Sequence, residues 1–410
     1  MKSVPPRGSG WAVDLESRHS GYLAVTPKMR AEPTRYREVV LTSCHSMENN
    51  GQRSISAMLA KLHQYSPFSL TSRICLLPFI ILSLKQPDQI SDQASRFPSN
   101  KLRGILLPFI TPFESNGDVD EKALRENIRK WNGSGIVGYV VLGSTGERVH
   151  LDEREYLAVI ETARQEVPAG KDGLVFIVGA GQQSTRGTIN EVRRVVAAVP
   201  VDAFLVITPH FYRPSITQTA LREQYERIAD ESPAPVILYS MPALTGVTIE
   251  CETVARLSEH ENIIGIKDSS ADVAGLRETS KLVRKDFAVL TGNGTVLSEA
   301  LCAGAWGGIL AVGCVAPALC IAIFRAVNSG EMELAMKLQS RLTPLAQAVT
   351  TRFGIGGLKA ALEMTGYVGG TVRAPLRVPD DEAREEIRRC LEEAEFEPDW
   401  MQAAPTESRR

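Results

Sequence analysis

None of the seven cysteines of this 410-residue chain stands in a CxxC pair, and none of its six histidines falls at HxxxH spacing. A zinc site of the usual spacings is therefore excluded. An odd number of thiols without a pairing pattern reads as reduced and packed, as in a cytosolic or organellar protein. Charge of one sign is also missing, since 46 Lys+Arg stand against 48 Asp+Glu. That balance leaves no electrostatic footprint for nucleic acid or an anionic membrane. The one apolar stretch of the first hundred residues, 74–84 (ICLLPFIILSL), contains Pro78 and falls well short of the roughly 20 residues that a spanning helix needs. It lies far from the N-terminus and lacks a small-residue cleavage pattern, which argues against a secretory signal as well. No GxGxxG opens a helix after the first strand-like run, which removes the main support for a dinucleotide-binding fold.

Glycine is scarce in one region only. Residues 1–100 hold four of the 32 glycines but fifteen serines. We read them as a poorly structured extension, disordered or used for targeting. The segment 58–85 has no acidic residue and carries Lys61, Arg73 and Lys85 among Ser and Leu. This composition is that of an organellar presequence and suggests a mitochondrion, with the cytoplasm as the alternative.

From residue 101 the pattern becomes regular. Apolar, β-branched runs recur at 104–110, 136–142, 174–178, 203–208, 235–240, 263–267, 287–291 and 308–312. Continuous rather than alternating runs suit parallel strands covered on both faces. Charged segments of helical period lie between them, for example at 120–131, 152–167, 188–198 and 217–231. The expected fold is α/β, a (β/α)8 TIM barrel over 101–315. C-terminal helices over 316–398 pack on it, and 399–410 form a tail.

Barrel enzymes carry their sites at the C-terminal ends of the strands. Strand 6 ends in Lys267, directly after an apolar IIGI. Desolvation at the mouth disfavours an ammonium, and a neutral amine can attack a ketone to form a Schiff base. The alternative is a lysine that reaches solvent or pairs with Asp268. Strand 5 ends in Tyr239, whose phenol could move protons or simply pack with its hydroxyl on a backbone carbonyl. Strand 2 runs into Gly143-Ser144-Thr145-Gly146-Glu147, a turn with backbone N–H groups and two hydroxyls that suits a carboxylate. Its simpler reading is a strand-to-helix turn with a Thr cap. Gly292-Asn293-Gly294 after strand 7 has the form of a phosphate cradle, but no basic residue is near in sequence. His150 and His210 suit packing or supporting roles better than that of catalytic base.

Taken together, the GSTGE turn, the Tyr-x-x-Pro strand end and the Gly-Ile-Lys-Asp-Ser-Ser segment resemble the pyruvate-dependent class I aldolase family of dihydrodipicolinate synthase and N-acetylneuraminate lyase. The resemblance covers 101–395 and nothing before it. Within the family, YSMP with Thr245-Gly246, RFGI with Gly357-Leu358-Lys359, and Arg373-Ala374-Pro375-Leu376 look most similar to the mitochondrial 4-hydroxy-2-oxoglutarate aldolases.

The resemblance implies that Lys267 forms the imine, Tyr239 transfers protons and Ser144 is its hydroxyl partner. Thr145, with Gly143 and Gly146, would hold the α-carboxylate. Leu244, Phe211, Tyr212 and Ile309 would complete the substrate pocket. It further implies a homo-oligomer (tetramer or dimer), a small 2-oxo acid substrate, and neither metal nor organic cofactor. Two positions depart from the family pattern. Phe211 stands where a tyrosine often serves a neighbouring subunit's site, with Tyr212 adjacent. Leu244 stands where the synthase carries an arginine for a second carboxylate, which argues against synthase activity.

The expected function is retro-aldol cleavage of a 4-hydroxy-2-oxo acid, best 4-hydroxy-2-oxoglutarate, to pyruvate and glyoxylate. A 2-keto-3-deoxy sugar acid aldolase is the nearest rival, since Leu244 and Phe211 suit a less charged tail. A non-catalytic 2-oxo-acid-binding relative is the rival of another class. A phosphosugar enzyme would need a cationic phosphate site, which the sequence does not display.

Overall fold

The computed structural model describes residues 97–170 and 173–395. The apolar stretch 74–84, the acid-free segment 58–85 and the tail 399–410 lie outside the described residues.

Eight short strands follow one another in register: β1 (Gly104–Leu107), β2 (Gly138–Val141), β3 (Val175–Ala180), β4 (Ala203–Ile207), β5 (Val236–Ser240), β6 (Ile263–Asp268), β7 (Ala288–Thr291) and β8 (Gly307–Ile309). All neighbours are parallel, and β8 pairs back onto β1 to close the barrel. The continuous apolar runs are explained by their surroundings, because each strand is buried on both faces. Inward residues such as Leu106, Val140, Ile177, Leu205, Ile237 and Leu290 fill the lumen. Outward residues such as Val141, Phe176, Val206 and Leu238 meet the helices. At the seam, a Cβ on Gly307 would lie 1.9 Å from the Gly104 carbonyl oxygen. Only glycine permits that approach.

The helices that alternate with the strands are α1 (Glu121–Trp131), α2 (Glu153–Glu166), α3 (Thr185–Ala198), α4 (Gln218–Glu231), α5 (Cys251–Ser258), α6 (Val273–Leu282), α7 (Leu297–Cys302) and α8 (Pro317–Asn328). Most start on a side-chain cap. Asp120, Ser184, Thr217 and Asp272 each accept a first-turn N–H, and Asp152 forms a full capping box with Glu155. Such caps satisfy donors that the first turn leaves free.

Two boundaries drawn from composition shift. Residues 97–100, assigned to the extension, belong to the barrel base. Phe97 packs on the lumen cluster, the 3-10 turn Ser99–Leu102 buries Leu102 within it, and the Ser99 hydroxyl donates to the Asp286 carbonyl at 2.6 Å. At the other end, α8 lies C-terminal of residue 315 yet packs on β1 as the eighth barrel helix. The extension proper is thus α9 (Met332–Gln347), α10 (Gly354–Met364) and α11 (Asp381–Ala394), with a π-helical turn Ala348–Arg352 joining α9 to α10.

Trp131 ties these parts together. It is fully buried, stacks between Phe109 and Tyr367, and donates its indole N–H to the Cys314 carbonyl at 2.9 Å. Trp131→Ala is expected to cost about 3–5 kcal/mol, seen as a lower denaturation midpoint with an unchanged slope.

Candidate active site

Alternation along β6 decides where its two charged residues point. Lys267 faces the lumen and is 4% exposed, whereas Asp268 faces outward into a groove between α5 and α6 of about 440 Å³. The alternative reading, a lysine paired with Asp268, is not met, and among the described residues no carboxylate comes within ion-pair distance of Lys267. Burial pushes the Asp268 carboxyl above its ordinary range, partly offset by hydrogen bonds from Ser270.

In the ladder, Lys267 pairs with Tyr239 of β5 on one side and Leu290 of β7 on the other. Register partners in a parallel sheet point the same way. The Lys267 Nζ accordingly sits 4.3 Å from the centre of the Tyr239 ring. The Tyr239 hydroxyl lies 3.0 Å from the Ser144 Oγ, at the end of β2. Amine, phenol and hydroxyl therefore come from β6, β5 and the loop after β2, and converge at the C-terminal end of the lumen. Ile309 of β8 is buried in the same lumen cluster as Tyr239.

The turn after β2 is a single 3-10 turn, Ser144–Gly146. The Gly146 and Glu147 amides close it on the Gly143 and Ser144 carbonyls, both at 3.1 Å. The Gly146 carbonyl accepts the buried Thr111 hydroxyl at 2.7 Å. Gly146 is thus engaged within the turn, and the amides that could meet an anion are those of Ser144 and Thr145. Thr111 was not picked out in the sequence, although its place just after strand 1 (FITPF) is the signal that marks it.

The remaining expected pocket residues lie elsewhere. Phe211 (74% exposed) and Tyr212 (68%) contact each other edge-to-face on the loop after β4. Leu244 is 63% exposed on the helical turn Pro242–Thr245 after β5. All three are on loops at the catalytic end, but none lies in the buried set around Lys267.

The Gly292-Asn293-Gly294 segment packs against Lys267 and caps the turn that follows. A Cβ on Gly292 would come within 1.9 Å of the Ser269 Oγ and 2.7 Å of the Lys267 Cε. Asn293 turns inward to accept from the Thr295 amide and hydroxyl. Gly292 therefore gives Lys267 its space. Cys314 and Cys320 are fully buried, and burial pushes the Cys320 thiol up to about 12. Neither suits a nucleophile.

A model of the dihydrodipicolinate synthetase family matches residues 101–394. The chain belongs to this family. It is therefore an enzyme, a lyase of the class I aldolase kind. A 4-hydroxy-tetrahydrodipicolinate synthase of Methanothrix thermoacetophila is 34% identical over 290 residues, covering 70% of this chain and 96% of its own. One of Nitrobacter hamburgensis is 35% identical over 280 residues, covering 67% and 91%. The dihydrodipicolinate synthase structure of Thermotoga maritima superposes with a TM-score of 0.67 at 30% identity, covering 71% of this chain and 98% of that one.

For this family member, Gly292→Ala is expected to displace Ser269 and Lys267 and to cost about 1–3 kcal/mol. Gly143→Ala should be nearly neutral in the same melting experiment, because its Cβ would meet only a Val140 methyl at 3.6 Å and its φ of −69° is ordinary.

Proposed function

We propose that this enzyme cleaves a 4-hydroxy-2-oxo acid through an imine on Lys267, with 4-hydroxy-2-oxoglutarate as substrate and pyruvate and glyoxylate as products. The observation that carries the reading is the buried Lys267 amine over the Tyr239 ring, with the Tyr239 hydroxyl 3.0 Å from Ser144. The Lys267 amine adds to the C2 carbonyl, and the carbinolamine loses water with a proton from Tyr239. Tyr239, relayed through Ser144, then takes the proton of the C4 hydroxyl. The C3–C4 bond breaks, its electron pair passes into the imine, and the aldehyde departs. Protonation of the enamine at C3 and hydrolysis release pyruvate and the free amine. The Ser144 and Thr145 amides, with the Thr145 hydroxyl, hold the α-carboxylate.

Condensation of the kind named for the synthase relatives is a second reading, favoured by those names. Leu244 counts against it, since an aliphatic side chain offers nothing to a second carboxylate at the arginine position, and for the same reason the distal carboxylate of 4-hydroxy-2-oxoglutarate needs another receiver. A 2-keto-3-deoxy sugar acid remains the rival substrate, because Leu244 and Phe211 are uncharged. Assembly of several copies belongs to the same reading. Val149 (79% exposed), Phe211, Tyr212 and Leu244 form apolar surface on loops at one end of the barrel, which a second copy would cover. Mitochondrial placement rests on the composition of 58–85.

Incubation with pyruvate and borohydride, followed by peptide mapping, is expected to label Lys267. A folded protein without adduct would sink the imine. Tyr239→Phe should still be labelled while turnover falls about 10²–10⁴-fold. Glyoxylate release from a substrate panel then separates the 4-hydroxy-2-oxoglutarate reading from the sugar-acid and condensation readings.

A further inference from the structure

The mechanism leaves one buried charged cluster unused, and it lies directly under the Ser144–Gly146 turn. Glu147, which closes that turn, is a non-glycine residue in the left-handed region (φ 54°, ψ 33°) and is buried. Its Oε1 meets the Lys359 Nζ at 2.7 Å. Its Oε2 lies 3.0 Å from the His150 Nδ1 and accepts the Arg373 amide at 3.3 Å. Lys359, on α10, is equally buried, donates also to the Thr371 carbonyl at 2.5 Å, and lies over the Phe113 ring. The Arg373 guanidinium also lies over the Phe113 ring and holds the Gly117 and His150 carbonyls and Glu155.

Two costs are concentrated at one residue here: a left-handed backbone for a side chain with a Cβ, and a desolvated carboxylate. A barrel that needed only packing would place an apolar side chain at 147. What these costs obtain is position. The Glu147 amide is bonded to the Ser144 carbonyl, and Ser144 carries the hydroxyl that meets Tyr239. Any movement of Glu147 is therefore passed to Ser144 and Thr145 within one hydrogen bond. Lys359, Thr371 and Arg373 belong to the C-terminal extension, which the barrel topology does not require.

We infer that Glu147 and Lys359 are positioning residues: their buried ion pair uses the C-terminal extension to fix the turn that receives the substrate carboxylate. The inference rests on the 2-oxo-acid reading above. Loss of the pair loosens carboxylate recognition and leaves the amine chemistry of Lys267 in place.

Glu147→Gln is the variant of choice. It keeps the size of the side chain and removes its charge, and the Lys359 Nζ retains the Thr371 carbonyl as a partner. Lys359→Met combined with Glu147→Gln is the second variant, with neither charge left. The readout is borohydride trapping over a range of pyruvate concentrations, beside the same titration with pyruvate methyl ester, which lacks the charge. In both variants the half-saturating pyruvate concentration is expected to rise about tenfold or more, with little change in the trapping rate at saturation. The methyl ester titration should hardly move. Equal weakening for both ketones would mean a merely structural role and overturn the inference, as would an unchanged pyruvate titration in a folded variant. A wild-type protein that traps neither ketone would instead remove the aldolase reading, and this inference with it.

Discussion

A lysine buried in an aliphatic lumen must be given room and a polar neighbour, and the site is built around that constraint. Lys267 reaches into a lumen lined by residues such as Ile237, Leu290 and Ile309. The Tyr239 ring is the polar relief next to Nζ, and the Tyr239 hydroxyl leads on to Ser144 and the turn. Gly292 leaves the volume that the side chain needs. The ladder fixes all of this, because Tyr239 and Lys267 are register partners and a slip of one residue in either strand would turn its residue out of the lumen.

Much of this could be read from the chain because the barrel makes sequence position a proxy for spatial position. Parallel strands covered on both faces leave unbroken apolar runs, and the residue that ends such a run stands at the mouth. Lys267 and Tyr239 stand out as candidates in that way, whereas the pairing of Ser144 with Tyr239 is what the family resemblance implies. What could not be read depends on contacts between distant segments. Composition placed a boundary at residue 100, whereas packing of Phe97 and Leu102 into the lumen extends the unit further back. The seam glycines and the space at Gly292 follow from backbone approaches that no local pattern encodes. Nor does position on a loop tell direction: Phe211, Tyr212 and Leu244 were expected in the pocket, and their side chains are exposed.

The C-terminal extension shows the same limit from the other side. Its amphipathic helices are legible, but their purpose is not, since Glu147 and Lys359 are remote in sequence and individually unremarkable. A buried ion pair is weak support for stability, because desolvation offsets most of the Coulomb gain, yet loss of one partner alone costs about 3–5 kcal/mol. Such a pair enforces one arrangement more than it deepens the fold. That suits a turn whose hydroxyl must stay within reach of Tyr239.

The division of labour also explains why relatedness settles the enzyme class before it settles the substrate. The amine, the phenol and their spacing are held by ladder hydrogen bonds and by the lumen, so they tolerate little change. The side chains that would discriminate one aldehyde tail from another, Leu244 and Phe211, sit on loops whose replacement moves neither Lys267 nor Tyr239. A relative about one-third identical can therefore share the reacting set and still take a different tail. The substrate must be argued from the charge that each loop offers. At position 244 that charge is absent, and a second carboxylate would have to be received by some other group at the mouth.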